Sequence, residues 1–137
     1  MRAALDTNVL VYAEGEGDEA RCRAARDLVA RLPADEVVVP VQVLGELTRV
    51  LVGKAGRPRD AVRTAVNGWA DAYQVADSTA HAFTSALDLM ADHQMNTWDA
   101  LILAVAAEHQ CRTLYSEDFH AGFTWQGVTV VNPFAQT

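Results

Sequence analysis

A chain of 137 residues is long enough for one domain with its own hydrophobic core, and half of its residues are hydrophobic, which excludes a disordered chain. A net charge of −7 argues against a protein that coats nucleic acid through basic residues, because such binding draws on counterion release. The same charge does not exclude a nuclease, since a bound cation reverses the field locally, and it favours a basic protein partner.

No apolar run is long enough to span a bilayer, so no membrane association is expected. The chain opens straight into a strand-like segment with no signal-peptide pattern. Cys22 and Cys111 are too few and too unpatterned for a disulfide framework or a zinc site, so a reducing cytoplasm is the expected compartment.

The elements alternate. Ala3-Ala4-Leu5 predicts a short buried strand, and a helix follows directly through Val9 to Ala13. Glu14 to Asp18 forms a turn, with Asp18 capping a helix that runs to about Leu32 before Pro33-Ala34-Asp35 breaks it. Val37-Val38-Val39, ended by Pro40, is a β-branched second strand. Helices are predicted from Val41 to Lys54 and from Arg59 to Ala72, separated by Gly56-Arg57-Pro58. Tyr73 to Ala76 reads as a third strand, and Asp77 or Ser78 as the cap of a helix to His93. After Gln94-Met95-Asn96 comes an apolar helix from Thr97 to Gln110. Arg112 to Tyr115 and Val128 to Val131 complete five strands. Strands interleaved with helices imply an α/β fold: a mainly parallel sheet covered on both faces, as one domain over residues 1–137.

Four acids stand out on this frame. Asp6 and Asp118 directly follow strands, and in open α/β sheets sites form beyond the carboxyl ends of strands. Taken singly, Asp6 reads equally well as a helix cap and Asp118 as a turn residue. Glu46 lies on a helix whose apolar stripe (Val43, Leu44, Leu47, Val50, Leu51) centres near Leu47; at about 100° per residue Glu46 falls on its shoulder. Such a carboxylate either snorkels to solvent or points into a cleft beside the sheet. Asp99 sits in the first turn of a helix that is apolar nearly all round, where the helix dipole alone would favour it. Four converging carboxylates would repel one another unless a hard, oxygen-preferring cation such as Mg²⁺ or Mn²⁺ sat between them.

The residues around these acids carry a resemblance. Leu5-Asp6-Thr7-Asn8-Val9-Leu10-Val11-Tyr12, Val43-Leu44-Gly45-Glu46-Leu47, Trp98-Asp99-Ala100-Leu101-Ile102 and Leu114-Tyr115-Ser116-Glu117-Asp118-Phe119 resemble, in order, the four acidic motifs of PIN-domain proteins. The ending Gly127-Val128 to Val131-Asn132-Pro133-Phe134 is similar to the family's last strand. The likeness extends to the VapC-like toxins of type II toxin–antitoxin systems. It implies a three-layer α/β/α sandwich and a Mg²⁺- or Mn²⁺-dependent endoribonuclease. Its catalytic and metal-binding acids would be Asp6, Glu46, Asp99 and Asp118, with Asn8 and Ser116 as accessory residues. Glu117, beside Asp118, is a further accessory residue, and the choice of Asp118 over it as metal ligand follows from the alignment of the motif. The resemblance also implies an RNA substrate, a homodimer, and a small antitoxin whose basic C-terminal segment covers the site.

Three other readings fit parts of the pattern. A response-regulator receiver wants adjacent acids after the first strand and a late lysine, but Asp6 stands alone and Lys54, the only lysine, is mid-chain. A haloacid-dehalogenase-type phosphatase wants Asp-x-Asp, and the third position here is Asn8. A catalytically silent PIN-like module that binds nucleic acid or protein should lack one of the acids, and all four are present. The histidines His81, His93, His109 and His120 have no ligand spacing, and only His120 is expected near the site. Trp69, Trp98 and Trp125 are expected in the core or an interface.

Overall fold

The computed structural model describes residues 1–119 and 121–135. Its elements are β1 (Ala3–Leu5), α1 (Thr7–Ala13), α2 (Glu19–Arg31), a single 3₁₀ turn (Ala34–Glu36), β2 (Val37–Pro40), α3 (Val41–Val52), α4 (Arg59–Ala72), β3 (Gln74–Ala76), α5 (Ala80–His93), α6 (Thr97–Glu108), β4 (Thr113–Tyr115), β5 (Thr124–Trp125) and β6 (Val128–Val131). The fold is the expected α/β/α sandwich around a mainly parallel sheet. Among the described residues no helix is long and apolar enough to cross a membrane.

The sheet has six strands in the order β3-β2-β1-β4-β6-β5. Every pairing is parallel except β5 with β6. β1 lies at the centre, its Ala3 opposite Val37 on one side and Thr113 on the other. From β1 the chain winds outward through β2 and β3, then crosses the sheet to β4 and winds the other way. The reversal falls between β1 and β4, and a crevice opens at such a switch point beyond the strand ends.

Burial explains the strands. β1 and β2 are buried at every position, as a strand covered on both faces must be. In α6 every residue from Ala100 to Ala106 is buried, which matches its all-round apolar sequence. This fixes the N-terminus of α6, and Asp99 with it, against the core.

Several boundaries differ from the sequence reading. β5 was not expected: two residues after a loop carry no period, and the strand exists because a hairpin lets Thr124 and Trp125 pair with Thr129 and Val128. The cap of α5 is Thr79 rather than Asp77 or Ser78. Its Oγ1 accepts from the Ala82 amide at 3.0 Å and donates to the Glu108 carboxylate, so a tertiary partner selects among three adjacent cap-competent residues. α3 stops at Val52 with Gly53 as its cap, and α6 stops at Glu108, with Gln110 in the left-handed region at φ 59°.

The turn between α1 and α2 is anchored from afar. Arg57 donates to the Glu14 carboxylate at 2.7 Å, to the Glu14 carbonyl at 2.9 Å and to Glu16 at 2.7 Å, while Trp69 Nε1 donates to the other Glu14 oxygen at 2.8 Å. Gly17, at φ +133°, lets the turn cross the Tyr12 ring; a Cβ there would lie 2.6 Å from it.

Candidate active site

Asp6 is the first residue beyond β1. Its amide donates to the Tyr115 carbonyl of β4 at 3.0 Å, which draws the ends of the two central strands together. Asp6 caps α1, its Oδ1 accepting from the Thr7 amide at 2.7 Å, and Oδ2 accepts from Ser116 Oγ at 2.6 Å. The cap and site readings of Asp6 are therefore compatible. Ser116 is fully buried and its Oγ also accepts from the Asp118 amide at 3.0 Å, so one hydroxyl orients two acids. Asp118 Oδ2 accepts from Asn8 Nδ2 at 3.0 Å. Asn96 caps α6 and sets Asp99 in its first turn.

Asp6, Asp99 and Asp118 come together: one carboxylate oxygen from each lies within 4.8 Å of the others. Glu46 stands beside this group rather than within it. Its Oε2 accepts from Thr7 Oγ1 at 2.9 Å and its Oε1 from Gln42 Nε2 at 2.7 Å. It is still near enough for its charge to act on Asp99 and Asp118. Glu117 is turned away, accepting from Tyr12 Oη at 2.6 Å and from Arg21 Nε at 3.1 Å. The geometry thus separates the two neighbours: Asp118 faces the cluster and Glu117 does not.

The electrostatics are those of an unrelieved cluster. Asp6 is 1% exposed. Burial pushes its pKa up to about 7 against the lowering effect of its bonds from Ser116 and Thr7, and repulsion from Asp118 and Asp99 adds to the rise. Asp99 is pushed up to about 6, first by burial and then by Asp118 and Glu46. Asp118 is raised for the same leading reason, against the hydrogen bond from Asn8. None of the ion pairs among the described residues includes any of these three acids or Glu46.

A divalent cation fits this donor set. The ligand atoms are hard oxygens at close range, their charges have no counter-ion, and Asn8 Oδ1 is a buried oxygen without a hydrogen-bond partner. Asp6, Asp99 and Asp118 would hold the ion, with Glu46 and Asn8 alongside.

Three cavities open onto the acids. One of about 450 Å³ is lined by Asp99, Asp118, His93, Met95 and Phe123. A second, of about 570 Å³, is lined by Glu46, Asp99, Gln42, Arg49 and Trp98. A third, of about 520 Å³, runs along Glu46, Asp118, Tyr12, Glu16 and Asp18 to Lys54. His93 therefore reaches the site from the end of α5, edge-on to Phe123 at 5.2 Å, although its sequence position suggests only a surface helix end. His120 lies outside the described residues. Trp98 is 59% exposed, not a core residue.

The sequence reading missed Thr7, Gln42 and His93. Gln42 carries a detectable signal, four residues before Glu46 on one helix face. Thr7 carries a weaker one, a polar residue directly after a buried cap, and His93 carries none.

The chain belongs to the PIN-domain family, whose profile matches residues 3–121. It is similar in fold to Mycobacterium tuberculosis VapC20, a sarcin–ricin loop cleaving toxin, with a TM-score of 0.72 and 23% identity over 85% of this chain and 89% of that one. A chain of a toxin–antitoxin complex from Klebsiella pneumoniae matches with a TM-score of 0.72 and 20% identity over 96% of this chain and 97% of its own. VapBC2 from Rickettsia felis, bound to a DNA fragment from its promoter, matches with a TM-score of 0.68 and 16% identity, covering 95% and 97%. No curated protein matches in sequence.

Proposed function

We propose that the protein is a Mg²⁺- or Mn²⁺-dependent endoribonuclease and the toxin of a toxin–antitoxin pair. One observation carries this reading: three carboxylates within 4.8 Å of one another, two with pKa values pushed to about 7 and about 6, stand without a counter-charge in the crevice between β1 and β4. Family membership and the toxins that share the fold point the same way.

When bound, a divalent cation supplies Lewis acidity to a water and to the oxygens of a phosphodiester. The chain's own part is positioning. Asp6, Asp99 and Asp118 fix where the positive charge lies. Ser116 holds Asp6 and the Asp118 backbone in register, and Asn8 holds the Asp118 carboxylate. Thr7 and Gln42 lock both oxygens of Glu46, leaving its remaining lone pairs to order water or a metal. Bare carboxylates repel a phosphate, so these acids would orient one only with a cation held between them.

The partners follow from surface chemistry. The cavity along α1 carries Glu16, Asp18, Glu46 and Asp118 against the single Lys54, which suits a small antitoxin with a basic C-terminal segment. Phe83, Leu87 and Met90 form an exposed apolar stripe at helical spacing on α5, a face suited to a homodimer. The cytoplasm is the compartment where RNA and such an antitoxin meet.

The test is cleavage of single-stranded RNA by the purified chain with Mn²⁺, Mg²⁺ or EDTA, beside Asp99→Asn. Cleavage that needs the cation and falls at least about a hundredfold in the variant supports the reading. Cation-independent cleavage, or full activity of the variant, overturns it, and metal binding without cleavage leaves a silent binding module.

A further inference from the structure

We infer that the cleft between α3 and the start of α6 seats one unpaired nucleotide of the RNA strand beside the acids, its base stacked on the Trp98 indole and an adjoining phosphate on the Arg49 guanidinium. This rests on the nuclease reading above.

Four features of the cleft converge. Trp98 exposes 59% of its surface directly beside Asp99, in the cavity that Glu46 and Asp99 also line. An indole left in water at the edge of a catalytic crevice is a stacking surface in want of a partner. Its backbone is pinned at both ends: the Trp98 amide donates to Asn96 Oδ1 at 2.9 Å, and its carbonyl accepts from Gln42 Nε2 at 3.2 Å. The ring is therefore carried on a fixed base, not on a loop.

The second feature is an acceptor. Gln42 Oε1 is buried and has no hydrogen-bond partner among the described residues, while the Nε2 of the same amide is fully engaged. An unsatisfied amide oxygen on a residue that lines the cavity is suited to a base amino group or a ribose hydroxyl. Third, Arg49 lines the same cavity, and the ion pairs among the described residues use Arg21, Arg23 and Arg57 instead. Fourth, Gly45 lies in the interior of α3 between Gln42 and Arg49, where glycine weakens a helix by about 1 kcal/mol. A Cβ there would meet nothing within 4 Å, so packing does not require the glycine. Its effect is to keep the floor of the cleft flat.

Charge decides the kind of nucleic acid. With a net charge of −7 and Arg49 as the basic residue lining this cleft, phosphate contacts contribute little to holding a duplex here. Stacking needs an open base face, which a single strand or loop offers and a duplex hides. The cleft therefore selects unpaired RNA and draws its affinity from the base.

The experiment is a titration of the full chain with a short mixed-sequence single-stranded RNA in Ca²⁺, read by tryptophan fluorescence and by anisotropy of a labelled strand. Cleavage kinetics in Mn²⁺ are run in parallel. Trp98→Ala should weaken binding about tenfold or more, Trp98→Phe should restore most of it, and Gly45→Leu should weaken it by filling the floor. Arg49→Ala should weaken it about threefold to tenfold and lower the magnitude of the salt slope by about 0.7. In Trp98→Ala, KM should rise while kcat and Mn²⁺ affinity stay within about twofold of wild type. Wild-type RNA affinity in Trp98→Ala, alongside wild-type cleavage, overturns this inference and leaves the nuclease reading standing. A loss of binding that tracks a shift from dimer to monomer also overturns it, because Trp98 would then be an interface residue. A wild-type chain that neither binds nor cuts RNA removes both.

Discussion

Neutralising Asp6 should stabilise the metal-free protein while disabling it. The carboxyl is 1% exposed and its pKa is raised from 3.8 to about 7, chiefly by burial. In the folded chain it therefore keeps its proton at pH values where the unfolded chain has lost it. Its contribution to stability is fully present below pH 3.8, is lost progressively as the pH rises to about 7, and is flat above that. At about 1.4 kcal/mol per tenfold change in proton affinity, the full loss is about 4 kcal/mol.

Asp6→Asn removes this cost. The amide keeps an oxygen for the Thr7 N–H but offers Ser116 a donor in place of an acceptor, which costs about 1 kcal/mol. In EDTA at pH 8 the variant should be more stable by about 3 kcal/mol, and its advantage should shrink by about 2 to 3 kcal/mol at pH 5. Saturating Mn²⁺ should reverse the order, since the ion stabilises only the chain that binds it. Urea unfolding at pH 5, 6, 7 and 8, with EDTA or Mn²⁺, is the assay. A variant less stable than wild type at pH 8 in EDTA, with a parallel pH profile, would refute the assignment of a buried, charge-strained carboxyl.

Other consequences are independent of that one. Mn²⁺ calorimetry should show weaker binding in both Glu46→Gln and Asp99→Asn, by about tenfold or more, because residues from α3 and α6 act on one ion; unchanged binding in Glu46→Gln would confine the site to the three aspartates. Arg57→Ala should lower unfolding stability by about 2 kcal/mol, since it leaves Glu14 and Glu16 facing each other without their shared donor, and chemical denaturation would show it. Light scattering should find the wild-type chain a dimer and Leu87→Glu a monomer of little changed stability, as Leu87 is exposed in the single chain. Ser116→Ala should raise the Asp6 pKa further and weaken Mn²⁺ binding, readable as a shift of the pH dependence of affinity to higher pH.

The sequence by itself determined the alternation of strands and helices and the candidacy of Asp6, Glu46, Asp99 and Asp118. These are local matters: β-branched runs, helical periodicity and the position of an acid relative to the element it ends. The all-round apolar stretch after Asp99 announced a buried helix, and α6 is one. Tertiary structure decided what no local pattern carries. Strand order set β1 beside β4, and that adjacency brings Asp6 within reach of Ser116 and Asp118 across more than a hundred residues of chain. Long-range partners also chose between neighbours of like chemistry: Glu108 made Thr79 the cap of α5, and Tyr12 with Arg21 drew Glu117 away and left Asp118 at the cluster. The exposure of Trp98 and the approach of His93 belong to the same class. Each depends on which surfaces the packed helices leave open, and a sequence records that only through the whole fold.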